Sequence, residues 1–518
     1  MKLERSKNAV RNVTAGLLNR IVGIVFPFII RTIFIKFLSA EYLGLNSLFS
    51  SILTVLNLTE LGFSSAIVFC MYKPIAEDDI ETINALLYFY KSVYRVIGLI
   101  ILIAGLVVVP FLPYLIKGPY PAEINIRIVY IVYLLNTVLS YFMFSYLGSL
   151  ISAYQREDII SKINVTITIG MYLVQILVIC LFRDYYLYLV VMPVFTILNN
   201  VKTAIVAKKM FPDLRPVGRL SIEYKQQIKE KVSGLVISKV CQVSRNAFDS
   251  IFISMFLGLI DTAIYNNYYY IMNSIIAITN VVTSSITSGV GNSVAMESEK
   301  KNYADMDRFN FLYMWLSGWC TVCLMCLYQP FMQLWVGDIY ILKTVNVLLL
   351  CMYFYVLKMG DIRYVYDQAK GLWWQNRFRS LAEAMSNIIL NYYLGKHFGI
   401  TGIICATLIS LFIFNFCLGS RIIFKYYFVN ENPMMYFLKH ARYAAVTVMV
   451  GCITYICCSA LYDGVVGLII KGVICLILPN VLYLFVYHKQ RAFEDALSWL
   501  GDRFIFMHKI ANRRKEIK

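Results

Sequence analysis

A chain of 518 residues that is 59% hydrophobic and only 15% charged, with a mean hydropathy of +0.66, is not a set of soluble domains, which run near about 25% charged. With 39 Tyr, 33 Phe and only 27 Gly it is neither disordered nor collagenous, which leaves an all-α polytopic membrane protein. The formal charge of +18, from 48 Lys+Arg against 30 Asp+Glu, suits either a nucleic-acid binder or the inner loops of a membrane protein, and placement along the chain decides between them.

A helix needs about 20 mostly apolar residues to cross the hydrocarbon core. In chain order such runs fall near 12–35, 43–69, 92–116, 126–152, 160–182, 185–207, 233–258, 262–292, 309–328, 342–364, 378–398, 400–424, 440–461 and 464–487, about fourteen in all. The 262–292 run is the most polar of them. The start, MKLERSKNAVRNVTAGLLNR, is basic, but the apolar run that follows contains Arg20 and Arg31 and lacks a small-residue cleavage site. It reads as a retained first membrane helix. With the N-terminus inside, loops and tails on that side collect about 37 of the 48 Lys+Arg and the opposite loops about seven. Both termini are therefore expected in the cytoplasm, and the basic surplus follows from topology and not from nucleic acid.

The longest polar stretch, 208–231 (KKMFPDLRPVGRLSIEYKQQIKEK), divides the chain into two bundles. The expected organisation is an N-lobe at 1–207, a cytoplasmic linker with an amphipathic helix at 208–231, a C-lobe at 232–425, two further helices at 426–487 and a basic cytoplasmic tail at 488–518. The two bundles share a short repeat. Arg31-Thr32-Ile33-Phe34-Ile35 with Phe37-Leu38-Ser39 in the first corresponds to Asp249-Ser250-Ile251-Phe252-Ile253 with Phe256-Leu257-Gly258 in the second. Six helices per half make both halves enter from the same side, so the repeat predicts two six-helix lobes related by a pseudo-twofold along the membrane normal, plus two C-terminal helices.

An Arg or Lys near mid-bilayer costs roughly 2.5–3.5 kcal/mol and persists where it meets a partner or a wet cavity. Arg20, Arg31, Lys239 and Arg245 stand in the expected spans and are the candidate substrate-binding residues. Arg20 and Arg31 are eleven residues apart, close to three turns, so with Pro27 they form one stripe. In the repeat alignment Lys239 falls within one residue of the position of Arg20, and two cations facing one another suit a diphosphate or another polyanion. Arg31 aligns with Asp249, and the two could pair as an outer gate; Arg245 and Asp249 are also i,i+4, so an intrahelical pair is the alternative. Glu60 matches Arg20 in depth and could neutralise it between substrates. Glu60 and Asp249 are thus candidates for gating or ion coupling. Helix bridging is the competing account of all six charges, but four cations against two acids leave an excess it does not explain.

Other patterns are weaker. Cys320, Cys323 and Cys326 form CxxCxxC, but the fourth cysteine of an iron–sulfur run is missing, since Gln329 precedes Pro330; no metal site is expected. Most of the thirteen cysteines fall in apolar runs, which argues against a disulfide framework. The intramembrane amides, including Asn136, Gln175, Asn273, Asn280, Asn387 and Asn391, and the cluster Tyr265, Tyr268, Tyr269 and Tyr270 could meet sugars, but joining helices is their ordinary use. No hydrolase, P-loop or zinc-protease motif is present and the outer loops are short, so a membrane glycosyltransferase or polymerase is disfavoured and no enzyme is expected.

The stretch RNVTAGLLNRIVGIVFPFIIRTIFIKFLSAEYLGLNSLFSSILTVLNLTELGFSSAI, then MYKPIAEDD, and the later DSIFISMFLG, YNNYYYI and SGVGNS resemble polysaccharide flippases of the Wzx type (O-antigen repeat-unit flippases). These belong to the multidrug/oligosaccharidyl-lipid/polysaccharide (MOP) exporter superfamily. The resemblance covers roughly residues 1–300 directly and the rest by span number. It implies movement of undecaprenyl-diphosphate-linked oligosaccharide from the cytoplasmic to the outer leaflet of a bacterial inner membrane by alternating access. It implies glycosyltransferases and a polymerase as pathway partners, no cofactor, and coupling to Na⁺ or H⁺ left open. A drug exporter of the superfamily, expected to line its cleft with acids, fits the cations less well. A peptidoglycan-precursor flippase, moving another diphosphate lipid, fits them equally.

Overall fold

The computed structural model describes residues 5–57, 63–222, 224–226, 228, 245 and 247–501. Among them there is no strand. The helices are α1 (Arg5–Phe37), α2 (Ala40–Leu56), α3 (Phe63–Ala76), α4 (Ile80–Val108), α5 (Ile126–Phe142), α6 (Ser145–Ala153), α7 (Glu157–Phe182), α8 (Tyr185–Met210), α9 (Ala247–Phe256) and α10 (Leu259–Met296). There follow α11 (Glu299–Val336), α12 (Thr344–Met359), α13 (Asp361–Lys370), α14 (Trp373–Ser410), a π-helical turn at Leu411–Leu418, α15 (Gly419–Tyr426), α16 (Pro433–Ser459), α17 (Val465–Tyr487) and α18 (Arg491–Gly501). Ten helices among the described residues are long and apolar enough to span a bilayer, and an eleventh is added if the bent pair α5–α6 counts as one span.

Several expected runs coincide with helices almost residue for residue: 160–182 with α7, 185–207 with α8, 464–487 with α17. Others are divided. The Trp373–Tyr426 stretch, 54 residues of continuous helix by composition, turns back at Gly399, whose φ of 60° and ψ of −137° leave the helical region. Gly402 approaches so closely that a Cβ there would overlap the Leu394 carbonyl oxygen. Only glycines permit this reversal, and it separates the two expected runs 378–398 and 400–424. The helices α10 and α11 overshoot their apolar runs, because the polar extension of α11 keeps helical propensity and begins at a capped Ser298, whose side chain accepts from Lys301 N.

The chain divides into two compact units, Met1–Ile264 and Tyr265–Lys518. The division lies in the second turn of α10, later than the polar stretch 208–231. The described part of that stretch docks on the N-terminal unit: Arg215 N donates to Asn84 Oδ1 at 2.7 Å and Tyr224 OH to the Cys70 carbonyl at 3.1 Å. The helix α9 is tied to the same unit. Ser254 Oγ donates to the Leu115 carbonyl at 2.7 Å and its own carbonyl accepts from Lys117 N at 3.0 Å, while Gly44 on α2 lies against the Leu259 backbone.

In the N-terminal unit α1 packs along α7, and α5 packs on α4 and α8. In the C-terminal unit α11 is the central post, packed by α12, α16 and α17. Its core is aromatic: Phe311, Tyr436, Tyr443, Tyr483 and Tyr487 are buried together, and Phe311 and Tyr443 meet the Tyr487 ring edge-on at 5.3 and 6.3 Å, the geometry that ring quadrupoles favour.

Candidate functional site

The candidate cations of the N-terminal unit ride on α1, which is among the less buried spans, with 17% of its apolar window inside the protein. Arg20 is exposed and Arg31 half-buried. Eleven residues at 1.5 Å rise set them about 16 Å apart along the axis. An exposed arginine within a span needs water or a polar partner within reach. Arg31 lies within electrostatic reach of the Tyr188 hydroxyl. Its helix is held there by a stacked pair, Phe26 on Tyr172 at 5.5 Å, and by Phe34, edge-on to Tyr188 at 4.7 Å. Arg245 and Asp249 are the reverse case, 5% and 0% exposed on one face of α9 and the turn before it. Lys239 and Glu60 lie outside the described residues. The structure therefore brings Arg20 and Arg31 onto one open helix, and Arg245 and Asp249 onto a buried one.

Beside α1, the start of α7 carries a charged cluster, the buried Asp158 meeting Arg156 at 2.9 Å and Lys162 at 3.3 Å while its backbone N donates to Asn12 Oδ1 of α1 at 2.8 Å, and two other junctions of this unit are neutral. Asn46 Oδ1 accepts from both the Tyr133 and the Tyr185 hydroxyls, joining α2, α5 and α8. Ser149 Oγ donates to Tyr90 OH at 3.0 Å and contacts Ser64 Oγ at 3.1 Å.

In the C-terminal unit the helix break at Gly360, between α12 and α13, gathers a charged cluster. Lys358 Nζ, 1% exposed, donates to Asp361 Oδ2 at 2.8 Å and to Asn280 Oδ1 at 3.2 Å. Tyr313 OH donates to the same Asp361 oxygen at 2.6 Å. Asn280 belongs to an exposed polar stripe of α10 with Asn273 and Ser284, so the buried ammonium is one hydrogen bond from an open face. One turn further, Arg363 Nη1 meets Asp367 Oδ2 at 2.7 Å, both buried. The Arg363 guanidinium lies against the bare Cα positions of Gly360 and Gly419, where added Cβ atoms would stand 3.3 and 2.5 Å from it, and contacts Asn415 Oδ1 of the π-helical turn at 3.4 Å. Arg379 pairs with Glu383 at 3.1 Å on α14. Three cations and three acids balance, in i,i+3 or i,i+4 pairs.

Sequence reasoning counted only four cations within spans and passed over these. Lys358 and Arg363 stand at the end of the 342–364 run and Arg379 at the start of 378–398, where charges look like loop flanks. The spacings Lys358–Asp361, Arg363–Asp367 and Arg379–Glu383 were the available signal. The intramembrane amides mostly join helices, as expected. Asn136 Oδ1 accepts from Thr196 at 2.7 Å, and Asn387 Nδ2 donates to Thr407 Oγ1 at 3.0 Å. In the tyrosine cluster, Tyr268 OH donates to Gln329 Oε1 at 2.8 Å and Tyr328 OH to the Tyr268 carbonyl at 2.7 Å.

No protein-family model matches the sequence, and no curated protein matches it. Solved structures do match in fold. The chain is similar to a lipid II flippase, MurJ, in an inward closed conformation, with a TM-score of 0.63 at 16% identity over 92% of this chain and 99% of that one. It is similar to an inward-facing multidrug-resistance MATE transporter of the MOP superfamily, with a TM-score of 0.57 at 14% identity over 80% and 98%. A point mutant of the Vibrio cholerae MATE transporter VcmN gives 0.54 at 12% identity over 83% and 99%. At such identities the likeness establishes the fold alone: an all-helical arrangement shared with these membrane proteins.

Proposed function

We propose that the chain is a flippase that carries a diphosphate-linked oligosaccharide lipid, of the undecaprenyl type, from the cytoplasmic to the outer leaflet of a bacterial cytoplasmic membrane, with both termini inside. The observation that carries this reading is Arg20, exposed in the second turn of the membrane span Thr14–Phe37 in a fold shared with a flippase and multidrug transporters. A cation there is costly in lipid and useful in a wet cleft that receives an anion. Arg20 and Lys239 attract the diphosphate in an inward-open state, and Arg31 and Arg245 act as access changes sides. Two negative charges leaving an inside-negative cell gain about 4–5 kcal/mol per 100 mV if they cross the whole field. The prenyl tail stays in the bilayer throughout. Glu60, Asp249 and the Lys358–Asp361 pair are the groups able to couple the cycle to Na⁺ or H⁺. Pathway glycosyltransferases and a polymerase are the expected partners.

A second reading, a peptidoglycan-precursor flippase, is favoured by the lipid II flippase among the structural neighbours. Mass spectrometry of the lipid extract from cells with and without the gene separates the two. Accumulation of a defined repeat unit on the prenyl carrier supports the first reading, and accumulation of lipid II supports the second. An unchanged lipid pool with heightened sensitivity to cationic drugs rejects both in favour of drug export.

A further inference from the structure

Three cysteines far apart in sequence meet inside the C-terminal unit. Cys326 on α11, Cys458 in the last turn of α16 and Cys475 midway along α17 are buried, with their sulfurs all within 4.8 Å of one another. Cys458 Sγ stands 4.0 Å from Cys475 Sγ. Of these helices, α11 and α17 are held in register by contacts to one carbonyl: Trp319 Nε1 donates to Cys475 O at 2.8 Å, and Cys323 Sγ approaches the same oxygen at 3.7 Å. A buried cysteine ordinarily serves as a small hydrophobe, but packing alone gives no reason for three thiols from three helices to converge.

We propose that Cys326, Cys458 and Cys475 form a binding site for a soft monovalent cation of the Cu(I) type. Thiolates select soft cations over hard ones. With metal–sulfur bonds of about 2.3 Å, three sulfurs around a trigonal ion stand about 4.0 Å apart, which is the separation already present between Cys458 and Cys475. Loading is a coordination step without electron transfer: Cu⁺ and three cysteine thiols give a tris-thiolate complex of charge −2 and release three protons. Lys471, 5% exposed and one turn before Cys475 on α17, is the cation nearest the cluster along that helix, and its ammonium is paired with Asp463 at 3.0 Å. The sequence run Cys320, Cys323 and Cys326 contributes only one of these ligands, which is why its spacing gave no metal signal. The site does not depend on which lipid the protein moves.

The test uses the full chain, reduced and purified in detergent, with the exposed Cys180, Cys452 and Cys457 replaced by serine to remove adventitious thiols. Cu(I) is offered in competition with bicinchoninate. One copper per chain is expected, with an X-ray absorption shell of three sulfurs at about 2.3 Å. C458S and C475S are each expected to weaken retention by more than the roughly 10–100-fold that loss of an outer-shell partner costs. Absence of stoichiometric binding, an oxygen or nitrogen shell, or binding that survives both substitutions overturns the proposal. The absorption measurement is made on chains that retain all three ligands, so it decides even if the single substitutions fail to fold.

Discussion

The two units differ in how much of their buried polarity is ionic. In the N-terminal unit two helix junctions are neutral, made of Asn46 with Tyr133 and Tyr185 and of Ser149 with Tyr90, one is ionic, Asp158 with Arg156 and Lys162, and Arg20 stands exposed on α1. In the C-terminal unit three cations and three acids are paired, and all but Asp361 are nearly inaccessible. Under the proposed function, ligand capture falls to the first unit and structural or coupling roles to the paired charges of the second.

The largest effect is expected where the contrast is broken on the ligand side. Each charge-assisted contact to a phosphate is worth about 1.5–3 kcal/mol, so Arg20→Ala with Lys239→Ala should lower head-group translocation at least about a hundredfold in reconstituted vesicles, with the thermal midpoint little changed. Normal transport by the double variant would sink the diphosphate reading. On the other side, Asp361→Asn strands the buried Lys358 ammonium. Removing one member of a buried pair costs about 3–5 kcal/mol, and Asp361 is one quarter exposed, which places the loss toward the lower end. Lys358→Met combined with Asp361→Asn should recover most of that stability in a detergent melt. If the double variant melts as low as the single, the pairing is not what the site contributes.

Glycine contacts give the next test, because the two units again differ in what a methyl group would strike. At Gly44 an added Cβ would overlap the Leu259 carbonyl oxygen, which is backbone; at Gly419 it stands 2.5 Å from the Arg363 guanidinium, a side-chain end held by Asp367. Overpacking typically costs about 1–3 kcal/mol. Gly44→Ala should fall at the upper end and Gly419→Ala lower, read as shifts in melting temperature. Equal shifts would mean that the Arg363 cage is as unyielding as backbone.

How much of this was legible beforehand follows from the same physics. Spans such as α7, α8 and α17 are uniformly apolar and bounded by charges, so their limits stand in the sequence. The reversal at Gly399 is carried by a single backbone torsion within an apolar stretch, yet the two runs on either side of it already marked its place. Arg20 and Arg31 were visible as ions amid apolar residues. Lys358, Arg363 and Arg379 were not, because each stands close to the end of an apolar run and has its acid three or four residues on, a pattern that solvated helix ends also show. The convergence of Cys326, Cys458 and Cys475 could not be read at all, since it depends on how α11, α16 and α17 rotate against one another.

The smallest effect is expected at Asn46, and it bears most directly on why the N-terminal unit uses neutral junctions. Its carbonyl oxygen accepts from two tyrosines on different helices, and Asn46→Ala leaves both buried hydroxyls without that acceptor. In water-soluble cores each orphaned group costs about 1–3 kcal/mol. Between membrane helices the average is nearer about 0.6 kcal/mol per bond, because the separated helices also find partners. The loss from the two bonds should therefore be about 1 kcal/mol, against the several expected for Asp361→Asn, and transport should persist. A melt showing Asn46→Ala as damaging as Asp361→Asn would mean that the neutral junction, and not the ionic cluster, is the stiffer element, and the assignment of roles to the two units would have to be reversed.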